Sequence, residues 1–223
     1  MPSLDVYLET GAKRTFACAV DWPGWARRGK DEETAIEALL EYGPRYAAML
    51  RGTRAGFSAP RTATTVKIVE RLQGNATTDF GAPDIATSTD ADPVDDGELR
   101  RFEKILRASW RAFDAAVEGA RGTMLATGPR GGGRTLDAIV DHVLDADGAY
   151  VAMLGRKAPK GTERERVERT RRAVVDALGS AVRDGVPPSP RGGKRWVPRY
   201  FVRRVAWHVL DHTWEIEDRA PAG

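Results

Sequence analysis

The sequence predicts an α+β domain followed by an all-α four-helix bundle. Three observations predict it: period-two alternation near the start, an acidic stretch with prolines over 79–97, and apolar stripes of helical period beyond residue 98. The expected division is 1–78 for the α+β unit, 79–97 for an acidic linker and 98–220 for the bundle.

Composition limits the alternatives. Of 223 residues, 41% are hydrophobic and 30% charged, enough apolar mass for a core and too much charge for a membrane protein. No apolar run approaches the roughly 18 residues needed to span a bilayer. The first residues lack the basic and apolar regions of a secretion signal, so the expected location is cytoplasmic. A single cysteine, Cys18, forms no internal disulfide, which agrees with a reducing compartment. It alternates with Phe16 and Val20 and reads as a core residue. The net charge of +3, from 35 basic and 32 acidic residues, is too mild to imply nucleic-acid binding. The Arg-, Ala- and Gly-rich composition points to a high-GC bacterial genome.

In order along the chain, Leu4, Val6 and Leu8 alternate with Asp5, Tyr7 and Glu9, the period of a half-buried strand. Gly11 supplies a turn, and Phe16, Cys18 and Val20 continue the alternation, giving a hairpin. Trp22-Pro23-Gly24-Trp25 is a rigid turn. Asp31 caps a helix whose first turn carries Glu32 and Glu33 against its dipole. That helix is expected to run through Leu50 and stop near Gly52, with a third strand at Val66, Ile68 and Leu72. Between Asp79 and Glu98 stand seven acidic residues and no Lys or Arg, read as a solvated linker. Four helices are then expected, over about 98–120, 135–154, 162–182 and 197–219, separated by glycine- and proline-rich breaks that include 128–133 and 185–193.

The chemistry-bearing pattern is histidine. Of only three, His208 and His212 are four apart on the last helix, roughly 5–6 Å at Cβ on one face. His142 lies on the second helix, on a face with Leu136, Ile139, Asp145 or Ala146, and Ala149. Ligands on facing helices are how bundles build metal sites. Three nitrogens with an open fourth position suit a catalytic divalent metal. Asp145, Asp211 and Glu215 are candidates to fix the imidazole tautomers. Val209 follows the first histidine, where zinc peptidases of the His-Glu-x-x-His type need glutamate. Two basic stretches, 156–172 and 191–204, read as a solvated helix face and as an anion-binding candidate; in the second, Arg195, Arg199 and Arg203 alternate with Trp196, Tyr200 and Phe201. Trp207 and Trp214 read as core packing.

The segments DHVLDADGAYVAMLG (141–155) and RRVAWHVLDHTWEIEDR (203–219) resemble the metal-site helices of the DinB-like superfamily. That resemblance implies a four-helix bundle with zinc or nickel on His142, His208 and His212. It also implies a thiol-dependent transferase or isomerase using a low-molecular-weight thiol such as mycothiol. Residues 15–42 (TFACAVDWPGWARRGKDEETAIEALLEY) resemble the HicB-like fold of toxin–antitoxin systems. The DinB-like resemblance implies a small-molecule substrate; the charge balance argues against nucleic acid and the composition against a membrane partner, with a homodimer left open. The competing expectation is a non-catalytic, metal-stabilised bundle whose HicB-like unit binds a protein or RNA.

Overall fold

The computed structural model describes residues 3–60, 65–127, 133–157, 160–162, 165–190 and 192–221. Most of the glycine break expected at 128–133 and parts of both basic stretches lie outside them. Strand β1 (Leu4–Thr10) and strand β2 (Thr15–Ala19) form the expected antiparallel hairpin, closed at Thr10↔Thr15. The turn is held from elsewhere: Asp79 accepts from Ala12 N at 3.2 Å and Lys13 N at 2.7 Å. The Trp22–Trp25 turn does not feed the helix directly. It returns the chain as strand β3 (Ala26–Gly29), which pairs antiparallel with β2. Gly24 has φ +91°, and a Cβ there would stand 2.9 Å from the Ala206 backbone, so only glycine lets this turn lie flat on the last helix.

Asp31 caps helix α1 (Glu32–Glu41) through Thr34 N at 2.9 Å, as its position predicts. The single helix expected to continue to Leu50 is broken at Tyr42. Helix α2 (Gly43–Met49) starts there with a proline in its first turn, where a missing N–H costs nothing. Strand β4 (Val66–Gln73) then pairs parallel with β1, giving sheet order β3-β2-β1-β4. Trp25 stacks on Tyr46 at 5.5 Å, and its indole donates to Leu39 O at 2.9 Å, which fastens the helices to the sheet.

The acidic segment is a packed strap, not a solvated linker. It starts in the last turn of helix α3 (Ala76–Phe80) and contains a short 3-10 turn at Ser88–Ala91. Glu9, fully buried in β1, accepts from Thr78 Oγ1 (2.5 Å), Asp84 N (2.9 Å) and Ile85 N (3.0 Å). From the other side the strap is gripped by arginines of the last helix. Arg203 pairs with the buried Asp90 of the strap, and Arg199 with Glu98 just beyond it.

Four long helices follow: α4 (Asp96–Gly119), α5 (Leu136–Met153), α6 (Arg166–Asp184) and α7 (Pro198–Arg219). Asp95 and Thr135 cap the first two through side-chain oxygens. Helix α7 contacts α4, α5 and α6 and is buried along most of its length, with Phe201, Val205, Val209, Leu210 and Ile216 at 0% exposure. One apolar core runs from Leu4, Val6 and Leu8 of the sheet to Leu106, Ile139, Leu178 and Ile216 of the helices. Cys18 sits beneath the sheet, and burial pushes its thiol up to about 12, which leaves it unreactive at neutral pH. Among the described residues no helix is long and apolar enough to cross a membrane.

Candidate metal centre

His208 and His212 project from one face of α7 toward α5, which supplies His142. Their placement follows from burial. Nearly every position of α7 faces a neighbour, so polar side chains at 208 and 212 stay inside only if they have partners. The three rings converge, with centroids 4.9 Å (142–208), 5.0 Å (142–212) and 4.7 Å (208–212) apart. One ring nitrogen of each lies within 4.8 Å of the others, and Nε2 of His142 is 3.1 Å from Nε2 of His208.

A tetrahedral ion bonded to nitrogens at 2.0–2.1 Å would hold them about 3.3 Å apart. The His142–His208 pair, at 3.1 Å, is close to that spacing, and the trio as a whole lies within 4.8 Å, so these residues could hold such an ion. On His212, Nδ1 lies 2.7 Å from Glu215 Oε2, which leaves Nε2 as the nitrogen available to a metal. Glu215 in turn accepts from Arg219 Nη1 at 2.6 Å, and Arg219 also donates to the carbonyls of Ala126 (2.8 Å) and Arg134 (2.9 Å). This chain of contacts fixes one tautomer of His212. The hydrogen bond from His212 holds the Glu215 carboxyl below its usual range, with Arg219 acting in the same direction.

Burial lowers the His142 imidazole below the ordinary histidine range, and the nearby His212 adds to the effect. His208 lies well below that range, through burial first, then His212 and His142. Both are therefore neutral at physiological pH, the protonation state a metal requires.

Of the three residues expected to orient imidazoles, only Glu215 does so. Asp145 is bonded to Arg166 at 2.7 Å, and Asp211 reaches Arg27 on β3 at 3.1 Å. Among the described residues Nδ1 of His208 has no hydrogen-bond partner; the rings of Tyr150 (5.9 Å) and Trp207 (6.1 Å) surround it instead. Arg219 was missed by sequence reasoning, although its i+4 spacing from Glu215 is a readable ion-pair signal. Tyr150 left no such signal.

The expected anion site is already filled by the protein itself. Arg195 donates to the carbonyls of Ala152 (2.6 Å) and Pro187 (3.2 Å). Arg199 forks onto Glu98 at 2.6 Å and reaches Asp92 O and Pro93 O. Arg203 holds Asp90 of the strap with two nitrogens and also contacts Tyr7. Arg199 and Arg203 bind the strap and Arg195 the end of α5 and the chain just past α6, which is why the basic stretch looked available when read alone.

No family model, curated protein or solved structure matches this chain.

Proposed function

We propose that the protein is a metal-dependent enzyme of the thiol-transferase or isomerase type, holding one divalent ion, zinc or nickel, on His142, His208 and His212. The observation that carries this reading is the convergence of three imidazoles, with His142 and His208 Nε2 at 3.1 Å. Three protein nitrogens leave a coordination position for an exogenous ligand, as catalytic zinc sites do and closed structural sites do not. The likeness of 141–155 and 203–219 to DinB-like four-helix bundles supports a low-molecular-weight thiol, such as mycothiol, as cosubstrate. When bound, the ion supplies positive charge that favours the thiolate form of a coordinated thiol. The chain's own residues prepare the site. Glu215 and Arg219 aim Nε2 of His212, burial keeps His142 and His208 unprotonated, and the rings of Tyr150 and Trp207 shield His208 from water.

The test is metal content by mass spectrometry on native protein, for wild type and His208→Ala. Wild type is expected to carry one zinc or nickel per chain and the variant none; equal content in both would refute the ligand assignment. Titrating the cobalt-substituted protein with a small thiol separates catalysis from structure. A sulfur-to-cobalt charge-transfer band is expected.

A second reading, a non-catalytic metal-stabilised fold whose HicB-like unit binds a protein or RNA, draws on the depth of the site. His208 and His212 are only 7% and 8% exposed. An unchanged cobalt spectrum on adding thiol selects that reading.

A further inference from the structure

Away from the histidines, a cavity of about 280 Å3 lies between α4, α5 and α6 and opens to solvent beside Glu118 and Arg121. Its walls are mostly apolar, from Phe113 and Val117 on α4, Val140, Val143 and Leu144 on α5, and Val167 on α6. Among these walls sits a carboxylate. Asp147 is 1% exposed; its Oδ2 accepts from Trp110 Nε1 at 3.2 Å, and its Oδ1 has no hydrogen-bond partner among the described residues. A buried acceptor left this way costs free energy on the order of 1–3 kcal/mol, more if it is charged.

The charges around the cavity do not balance. Three carboxylates line it, Asp114, Glu118 and Asp147, against two guanidinium groups, Arg121 and Arg171. Arg171 gives both terminal nitrogens to Asp114, at 2.6 and 2.8 Å, and Arg121 pairs with Glu118 at 3.0 Å. The carboxylate left over is Asp147. Its carboxyl is pushed up to about 7 by burial, so the indole and the distant arginine compensate its charge only in part.

We propose that this cavity is a binding site for a small organic cation, a primary amine on an apolar or aromatic body, whose ammonium donates to Asp147 Oδ1. The ammonium supplies both things the carboxylate lacks, a donor and a positive charge. The body fills the apolar walls. The volume is sufficient, since an apolar cavity of roughly 150 Å3 holds benzene, and the excess accommodates a two-carbon arm. The lining includes none of the three histidines, so the site is tested separately from the metal.

Calorimetric titration of the full-length protein with 2-phenylethylamine at pH 8 tests the assignment, with 2-phenylethanol, 3-phenylpropanoate and benzamide as neutral, anionic and amide comparators. Saturable one-to-one binding of the amine is expected, at least tenfold tighter than any comparator. Asp147→Asn, nearly isosteric, should weaken the amine at least tenfold. Val140→Trp, which fills the cavity from a half-buried position, should abolish binding while His208→Ala leaves it intact. The proposal is overturned by the absence of saturable amine binding, by comparators that bind as well, or by an amine affinity unchanged in Asp147→Asn.

Discussion

Glu215 accepts hydrogen bonds from His212 and Arg219, so glutamine at this position removes the charge that holds the imidazole in one orientation. Loss of such an outer partner lowers metal affinity about 10–100-fold. Competition with a chelator of known strength is expected to show that loss for Glu215→Gln, with folding intact by circular dichroism. Asp147 makes a different prediction. Its carboxyl sits at about 7 in the folded protein against 3.8 when exposed. The folded state therefore binds the proton more tightly, and this contribution to stability, complete below the unfolded value, is lost as pH rises through about 7. Asp147→Asn is expected to flatten the pH dependence between 4 and 8 and to be the more stable protein at pH 8, by at most about 4 kcal/mol. Urea unfolding at several pH values reads it, and a steeper dependence in the variant would contradict the assignment. At this scale the sequence was partly legible. The i, i+4 histidines and the i+3 glutamate declared themselves because one helical face carries them. Asp211 misled because the residue next to His212 points about 100° away around the helix, toward Arg27. Asp145, three residues on from His142, is drawn off by Arg166 of the facing helix, a partner invisible to local spacing.

The elements were legible where their causes are local and hidden where they are not. The long helices declare themselves through an amphipathic stripe and caps such as Asp95 and Thr135. Strand β3 did not, because Ala26-Arg27-Arg28-Gly29 carries no alternation and depends on pairing with β2. The strap over 79–97 was misread for a related reason. Its acidity looks like solvation until Arg199, Arg203 and Arg204, more than a hundred residues later, are brought against it. Arg203 and Asp90 are 11% and 4% exposed as side chains. Removing one partner of a buried pair strands the other, at a cost of about 3–5 kcal/mol. Arg203→Ala is expected to show that loss in urea denaturation, with Arg203→Ala/Asp90→Ala recovering part of it. Equal stability of the two variants would mean the strap is held by its backbone contacts alone.

Across the molecule, the larger core spans sheet and helices, and α7 touches both, with Trp207 edge-on to Phe16 of β2. The Trp22–Trp25 turn rests on Ala206, and Tyr200 Oη reaches Asp84 O at 2.8 Å. Unfolding is therefore expected to be a single transition, with tryptophan fluorescence and far-ultraviolet circular dichroism superimposing through a urea titration. Two resolved steps would show that the halves are independent units. Gly24→Ala should lower the midpoint at both probes alike, because the added methyl meets the Ala206 backbone at 2.9 Å.

The bond between Arg27 and Asp211 joins positions 184 apart in the chain. Such a contact rewards the polypeptide only after an enormous loop has closed. The parallel pairing of β1 with β4 likewise waits on everything threaded between them. Refolding kinetics should accordingly be governed by a search for distant neighbours, in milliseconds to seconds rather than the microseconds of a small helical protein. During that search the greasy side of the last helix stays uncovered, so dilute conditions and moderate cold should raise the yield of active molecules recovered from denaturant.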